Sequence, residues 1–381
     1  MYFRTSTVIH MFEAMETMII EKLAAEVADA ARPHAARHDL DGTFVAEGIE
    51  AARELGYLAA GVPTELGGVG ALTRDIAAGQ RVLARACGST ALASAMHQHV
   101  VLAAAWRWRR GDTVVEGMLK RVGEERITVA STGGADWTMP TTVATPVDGG
   151  WRVSGRKTFC SISPAATVAA TFAVVGAAEP GAEVIAFGLP LAAEGVTMEE
   201  TWDAAGMRGT GSHDLVLDDV LVKDAQVTAR RTWGELDRPL LVASLHAWPV
   251  IYATYLGVAE GLVETILARG RAREESARLV GLLDHHLRVA TWALQGVLAD
   301  LGDDPDPTLD AYVALQQMKR AVTVACQEIA TIAAEVAGGG AYARRGDVDR
   351  MIRDLRAALY HPNTPEATLV HAGRVKLGLP V

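Results

Sequence analysis

Residues 127–161 read ITVASTGGADWTMPTTVATPVDGGWRVSGRKTFCS, and here the spacing of apolar residues changes from every third or fourth position to every second. Alternation in a stretch rich in Val and Thr puts the apolar side chains on one face of an extended chain, so these residues read as strands. Asp148-Gly149-Gly150, between extended runs at 141–147 and 151–154, reads as a hairpin turn because glycine accepts the positive φ that a tight turn requires. Strands at 127–132 and 158–161 and further runs at 167–175, 183–189, 196–202 and 213–222 extend the pattern. Short antiparallel strands at this spacing predict a small β-barrel or sandwich.

On either side the periodicity is helical. Met11, Met15, Met18, Ile19, Leu23 and Val27 recur at helical spacing, and further helices are expected from Asp41 or Thr43 to Gly56 and at 73–86, 90–107 and from Asp112 to before Ile127. The stretch Gly61 to Gly70 holds too many Gly and Pro residues for either regular structure and reads as a loop. After about Lys223 alanine-rich helices return, over 236–269, 276–301, 308–336 and 347–360, with Asp303-Asp304-Pro305-Asp306-Pro307 as a connector. The fold class is therefore α+β: an N-terminal all-α domain (1–125), a middle β domain (126–224) and a C-terminal four-helix bundle (225–381).

A chain of 381 residues with 50% hydrophobic content can bury a large core, and its formal charge of −10 argues against a nucleic-acid surface. The three cysteines lie far apart with no metal-ligand spacing, which predicts no metal and a reduced compartment. Glu13 and Glu16 interrupt the apolar N-terminal run, so neither a signal peptide nor a membrane anchor is expected and the cytoplasm is the expected location. Partners are then small molecules or other subunits. Apolar residues on more than one face of 321–336 predict burial against another subunit.

The candidate chemistry sits at a break between two C-terminal helices, Tyr360-His361-Pro362. Pro362 turns the preceding residue out of the helix and puts His361 at an exposed corner, while Thr364-Pro365-Glu366 opens the last helix. His361 is either a helix-terminal cap or a proton donor near neutral pH. His97 and His99 share a helix two residues apart, face different ways and cannot chelate one metal, although one of them could face a pocket.

Five segments, in order, resemble the acyl-CoA dehydrogenase superfamily: Gly61 to Gly70, Ala130 to Asp136, Gly155 to Ser161, Gly206-Met207-Arg208-Gly209-Thr210 through Asp218-Asp219-Val220, and Gly338-Gly339-Gly340. The resemblance implies a bound flavin, with Phe159 and Ser161 against the isoalloxazine, Thr132 in the flavin-contacting segment, and Gly339 in a cofactor-side loop. It also implies that dehydrogenases of this family carry a catalytic glutamate where this chain has His361; the alternative position for that glutamate, near Leu245 to Trp248, holds no carboxylate either. Arg353-x-x-Arg356 followed by Tyr360-His361 is more similar to the flavin-dependent monooxygenase branch, which includes dibenzothiophene monooxygenase. That branch uses reduced flavin from a separate reductase, and oxygen, through a C4a-hydroperoxide. The resemblance then gives His361, Ser161 and His97 as the catalytic set, with the register open between His97 and His99. The family's Arg-x-x-Phe-Gly turn is absent, which leaves Arg271 or Arg273 to grip phosphate and keeps FMN and FAD both open. A homotetramer and a small-molecule substrate are implied as well. The competing readings are an acyl-CoA dehydrogenase with an atypical base and a flavin-binding scaffold without activity.

Overall fold

The computed structural model describes residues 3–132, 134, 137–268, 274–344, 346–361 and 363–381, with side chains from residue 17 onward. Among the described residues the α-helices α1 (Phe3–Ala31), α2 (Ala35–Asp41), α3 (Ala46–Glu54), α4 (Thr73–Ala86), α5 (Gly88–Arg109) and α6 (Glu116–Glu124) come first. The Gly61 to Gly70 loop folds back on itself, Gly70 N–H donating to Val62 O at 2.8 Å. A Cβ on Gly68 would stand 2.1 Å from that same carbonyl, so only glycine permits the approach.

Eight strands follow among the described residues: β1 (Val129–Ser131), β2 (Val143–Val147), β3 (Gly150–Cys160), β4 (Val168–Val175), β5 (Glu183–Pro190), β6 (Val196–Glu199), β7 (His213–Lys223) and β8 (Val227–Thr232). They form one sheet in the order β6-β7-β3-β2-β4-β5-β8, with β1 beside β4. The hairpin β2–β3 pairs Val147 with Gly150 around Asp148 and Gly149, and Gly149 has φ 75°. Two differences from the sequence reading follow from long-range pairing. β1 and β2 both lie parallel to β4, so the sheet is mixed. The β region also runs past residue 224, because β8 pairs with β5 across a long stretch of chain that local periodicity does not sense.

The C-terminal part holds α7 (Arg238–Ala268), α8 (Ala277–Leu301), α9 (Leu309–Ala337), α10 (Asp347–Arg356) and α11 (Pro365–Lys376). Helix α7 is long and apolar enough to cross a membrane by composition, yet it packs against α4, α5, α8, α9 and α10. A helix that is apolar all round is a core helix when neighbours cover every face. Tyr252, Tyr255 and Leu256 on it have no exposed surface. The position of α7 between the N-terminal helices and the bundle joins those two parts and leaves one space open against the sheet.

Candidate functional site

That space is a cavity of about 970 Å³, walled by the sheet, one face of α5, the start of α7 and part of segment 353–361. It is at the upper end of small-molecule sites, with room for a cofactor and a substrate together. Three non-glycine residues in its wall segments have positive φ: Phe159 (59°), Ile162 (65°) and Met207 (51°). Each costs about 1–3 kcal/mol and persists only where packing enforces it. Phe159 is 57% exposed, with its ring edge-on to Trp202 at 6.1 Å, and so offers an uncovered aromatic surface to a flat ligand.

The hydroxyls are grouped. Ser161 Oγ lies 2.8 Å from Ser212 Oγ, Ser212 Oγ lies 2.7 Å from Thr210 Oγ1, and Thr210 Oγ1 donates to Met207 O at 2.9 Å. Ser161, Thr210 and Ser212 all line the cavity. Thr132 lines it too, its hydroxyl donating to Thr171 Oγ1 at 2.7 Å.

His361 is not at an exposed corner. It is half-buried in the cavity wall, its ring 5.6 Å from that of Tyr255 and its Nδ1 hydrogen-bonded to the Tyr255 hydroxyl. Burial raises the Tyr255 phenol well above its ordinary pKa, and burial followed by the Lys319 charge lowers the His361 imidazole to about 4. Both are neutral at pH 7. A phenol that keeps its proton donates best to the basic ring nitrogen, which leaves the imidazole proton on Nε2. Nε2 has no hydrogen-bond partner among the described residues, so it remains a free donor.

Sequence periodicity did not reveal what supports this histidine. Lys319 on α9 has no exposed surface, and its ammonium donates to His361 O at 3.1 Å and to Asn363 O while lying 5.1 Å from the Tyr252 ring. Burial lowers it to about 7. A lysine on the bundle thus holds the two ends of the turn that carries His361.

The other two candidate histidines, His97 and His99, separate cleanly. His97 is fully buried, accepts from Val129 N–H at Nδ1 (2.9 Å) and donates from Nε2 to Leu58 O (2.9 Å). Both nitrogens are spent on backbone, and His97 is absent from the cavity wall. His99 lines the cavity, and burial, then the neighbouring His97 and His361, lower it to about 4. The α5 register therefore places His99 where His97 was expected.

Of the arginine pair, Arg353 grips Asp39 of α2 (2.6 and 2.9 Å), Asp349 (2.9 Å) and Ala205 O (3.0 Å), and its neighbour Asp354 accepts from Met207 N–H at 2.5 Å. These bonds tie all three parts of the chain beside the cavity. Burial pushes the Asp354 carboxyl up to about 6, against the pull of Arg350. Arg356 lines the cavity and makes no ion pair among the described residues. Gly339 is outside the wall, with open space at its Cβ position. Arg271 and Arg273 lie outside the described residues.

Asp112 is the one carboxylate among the described wall residues. Arg107 holds its Oδ2 at 2.6 Å, and its Oδ1 accepts from Val114 N–H at 3.2 Å. Among the described wall residues no free carboxylate stands beside His361. Arg107, Arg110 and Arg238 line the wall near Asp112 and Trp106, Arg110 paired with Asp304 and 3.6 Å from the Trp106 ring, Arg238 5.8 Å from it.

Family models for the acyl-CoA dehydrogenase N-terminal and middle domains match residues 13–109 and 129–220. YdbM of Bacillus subtilis strain 168, an acyl-CoA dehydrogenase by name, is 30% identical over 372 residues, covering 92% of this chain and 94% of that protein. The chain belongs to the acyl-CoA dehydrogenase superfamily. Within this superfamily of flavin-dependent enzymes, the L-evernosamine nitrososynthase of a Micromonospora species is 28% identical over 363 residues, covering 89% of this chain and 83% of the relative. KijD3, crystallised with FMN and dTDP-3-amino-2,3,6-trideoxy-4-keto-3-methyl-D-glucose, superposes with a TM-score of 0.88 at 27% identity, over 96% of this chain and 95% of its own.

Proposed function

We propose that this acyl-CoA dehydrogenase-superfamily chain is a flavin-dependent monooxygenase that receives reduced flavin from a separate reductase and oxygenates an amine. The observation that carries the reading is His361: a neutral donor with a free Nε2–H stands in the cavity, and among the described wall residues no available carboxylate stands near it. Removal of an α-proton from an acyl-CoA needs a base, and an imidazole lowered to about 4 with Nδ1 engaged by Tyr255 is a poor one.

The wall residues fit a flavin. Phe159 and Trp202 offer aromatic surface, and the Ser161 hydroxyl lies at one end of a polar chain in the same wall. When bound, reduced flavin supplies the electrons that activate dioxygen. The protein's part is to orient, to donate and to keep water out. Tyr255 sets the His361 tautomer, Lys319 fixes its backbone, and Nε2–H donates toward negative charge that develops on oxygen during reaction. Apolar residues of α5 and α7, such as Met96 and Ile251, exclude water from the same space.

Two named relatives support an amine as the acceptor: a nitrososynthase and KijD3 with its amino-sugar nucleotide. At the arginine end of the cavity Arg107 is paired with Asp112 and Arg110 with Asp304, and Arg238, which makes no ion pair among the described residues, suits a phosphate group of such a substrate. FMN is favoured by the same neighbour.

Stopped-flow mixing of the anaerobic protein and reduced FMN with oxygen is the test. A transient absorbance distinct from oxidised and reduced flavin, and oxygen transfer to an amine, are expected. Bleaching of bound oxidised flavin by an acyl-CoA would refute the reading.

A further inference from the structure

The three hydroxyls beside Phe159 form a chain whose direction is set at its far end. Met207 O can only accept, and Thr210 Oγ1 stands 2.9 Å from it, so the single hydroxyl proton of Thr210 lies on that bond. Were that proton elsewhere, two lone-pair oxygens would face each other at hydrogen-bond distance with nothing between them. Thr210 must then accept at its 2.7 Å contact, which makes Ser212 the donor. Ser212 has spent its proton and must accept at its 2.8 Å contact, which makes Ser161 the donor. All three hydroxyls are at least nine-tenths buried, Thr210 completely, so water does not compete freely for these roles. The Ser161 proton points back into the protein, and what Ser161 turns toward the cavity is a lone pair.

A wall atom that only accepts discriminates between ligands that present N–H and ligands that present a bare nitrogen. Reduced flavin carries a proton on N5; oxidised flavin has a lone pair there. We propose that the Ser161–Ser212–Thr210–Met207 chain selects the reduced form of the flavin, with Ser212 and Thr210 acting through Ser161 as positioning residues that set its proton. The proposal rests on the flavin reading above and gives it a physical cause: a protein that takes reduced flavin from solution needs to prefer it over the oxidised form that leaves.

The test is equilibrium binding, not turnover. Wild-type protein is titrated anaerobically with photoreduced FMN and, separately, with oxidised FMN, with FAD in a parallel series. An acceptor facing an N–H in one case and a lone pair in the other predicts tighter binding of the reduced form by about tenfold or more. In Ser212→Ala the Ser161 proton loses its acceptor and is free to turn outward, so the ratio is expected to fall to about one. Thr210→Val, a change of similar volume, releases the Ser212 proton toward Ser161 and is expected to bring the ratio to one or below. Thermal melts identify any variant that fails to fold, and the two substitutions stand in for each other. Equal wild-type affinities, tighter binding of oxidised flavin, or an unchanged ratio in a folded variant would overturn the proposal. Binding of neither flavin by wild type would overturn it together with the functional reading, whereas a monooxygenase without redox preference would overturn it alone.

Discussion

Replacing Lys319 by Met should remove a pH dependence of stability that can be worked out from the structure. The side chain is fully buried, has no carboxylate partner among the described residues, and is lowered by burial from 10.5 to about 7. Between those values the unfolded chain binds a proton at this site that the folded chain does not. Stability contributed by the group therefore rises with pH from about 7 to 10.5; below about 7 both states carry the proton and the contribution stays at its lowest value, that of a charged buried amine. With one unit of pKa shift equal to about 1.4 kcal/mol, the gain between pH 7 and pH 9 comes to ~2 kcal/mol. In the deprotonated state the amine keeps two N–H groups, enough for the carbonyls of His361 and Asn363. Urea unfolding of wild type and Lys319→Met at pH 7, 8 and 9 isolates the effect, since groups common to both proteins cancel in the difference. His361, at about 4, and the raised phenols of Tyr252 and Tyr255 do not titrate in this interval. The wild-type minus variant difference should move in favour of wild type by about 1 kcal/mol per pH unit; parallel curves would refute the burial argument for Lys319.

His361→Ala should bind flavin within a few-fold of wild type while losing about 10²–10³ in turnover with the loss of one oriented donor, and the buried Tyr255 hydroxyl left without its acceptor should cost about 1–3 kcal/mol of stability. A purely structural histidine would show the stability loss and spare the turnover of the folded variant. Gly206→Ala places a methyl 2.2 Å from Arg353 O and 2.8 Å from Asp354 N, both backbone, so chemical denaturation should reveal a loss of about 1–3 kcal/mol. Light scattering at micromolar concentration should give a mass above that of the single chain, a tetramer being expected, because Trp292 (64% exposed), Val324 (42%) and Leu309 (45%) leave apolar surface on α8 and α9. His99→Gln should alter turnover or substrate affinity more than flavin binding, since His99 and not His97 lies in the cavity wall; His97→Gln should act on melting temperature, because it breaks two buried backbone bonds.

Local pattern was enough for the division into helices, strands and helices, because periods of two and of 3.6 residues follow from backbone geometry and need no neighbours. Residues 127–161 announced the sheet, the Asp148-Gly149 turn announced β2–β3, and the Gly61 to Gly70 loop announced itself by glycine content. Residue chemistry singled out His361, and the resemblance to the acyl-CoA dehydrogenase superfamily gave Ser161, Thr132 and Phe159; all four line the cavity. What depended on contacts between distant residues was not legible. The partner of β5 is β8, the partner of His361 is Tyr255 on α7, and the support of the His361 turn is Lys319 on α9, each separated by tens of residues or more. His97 and His99 differ by two positions on one helix, and only the packing of α5 against Leu58 and Val129 decides which of them is held by backbone and which faces the cavity. Periodicity places a side chain on a face of its own element. It takes the assembled fold to decide what that face meets, how dry the meeting place is, and therefore which nitrogen or oxygen has a proton to give.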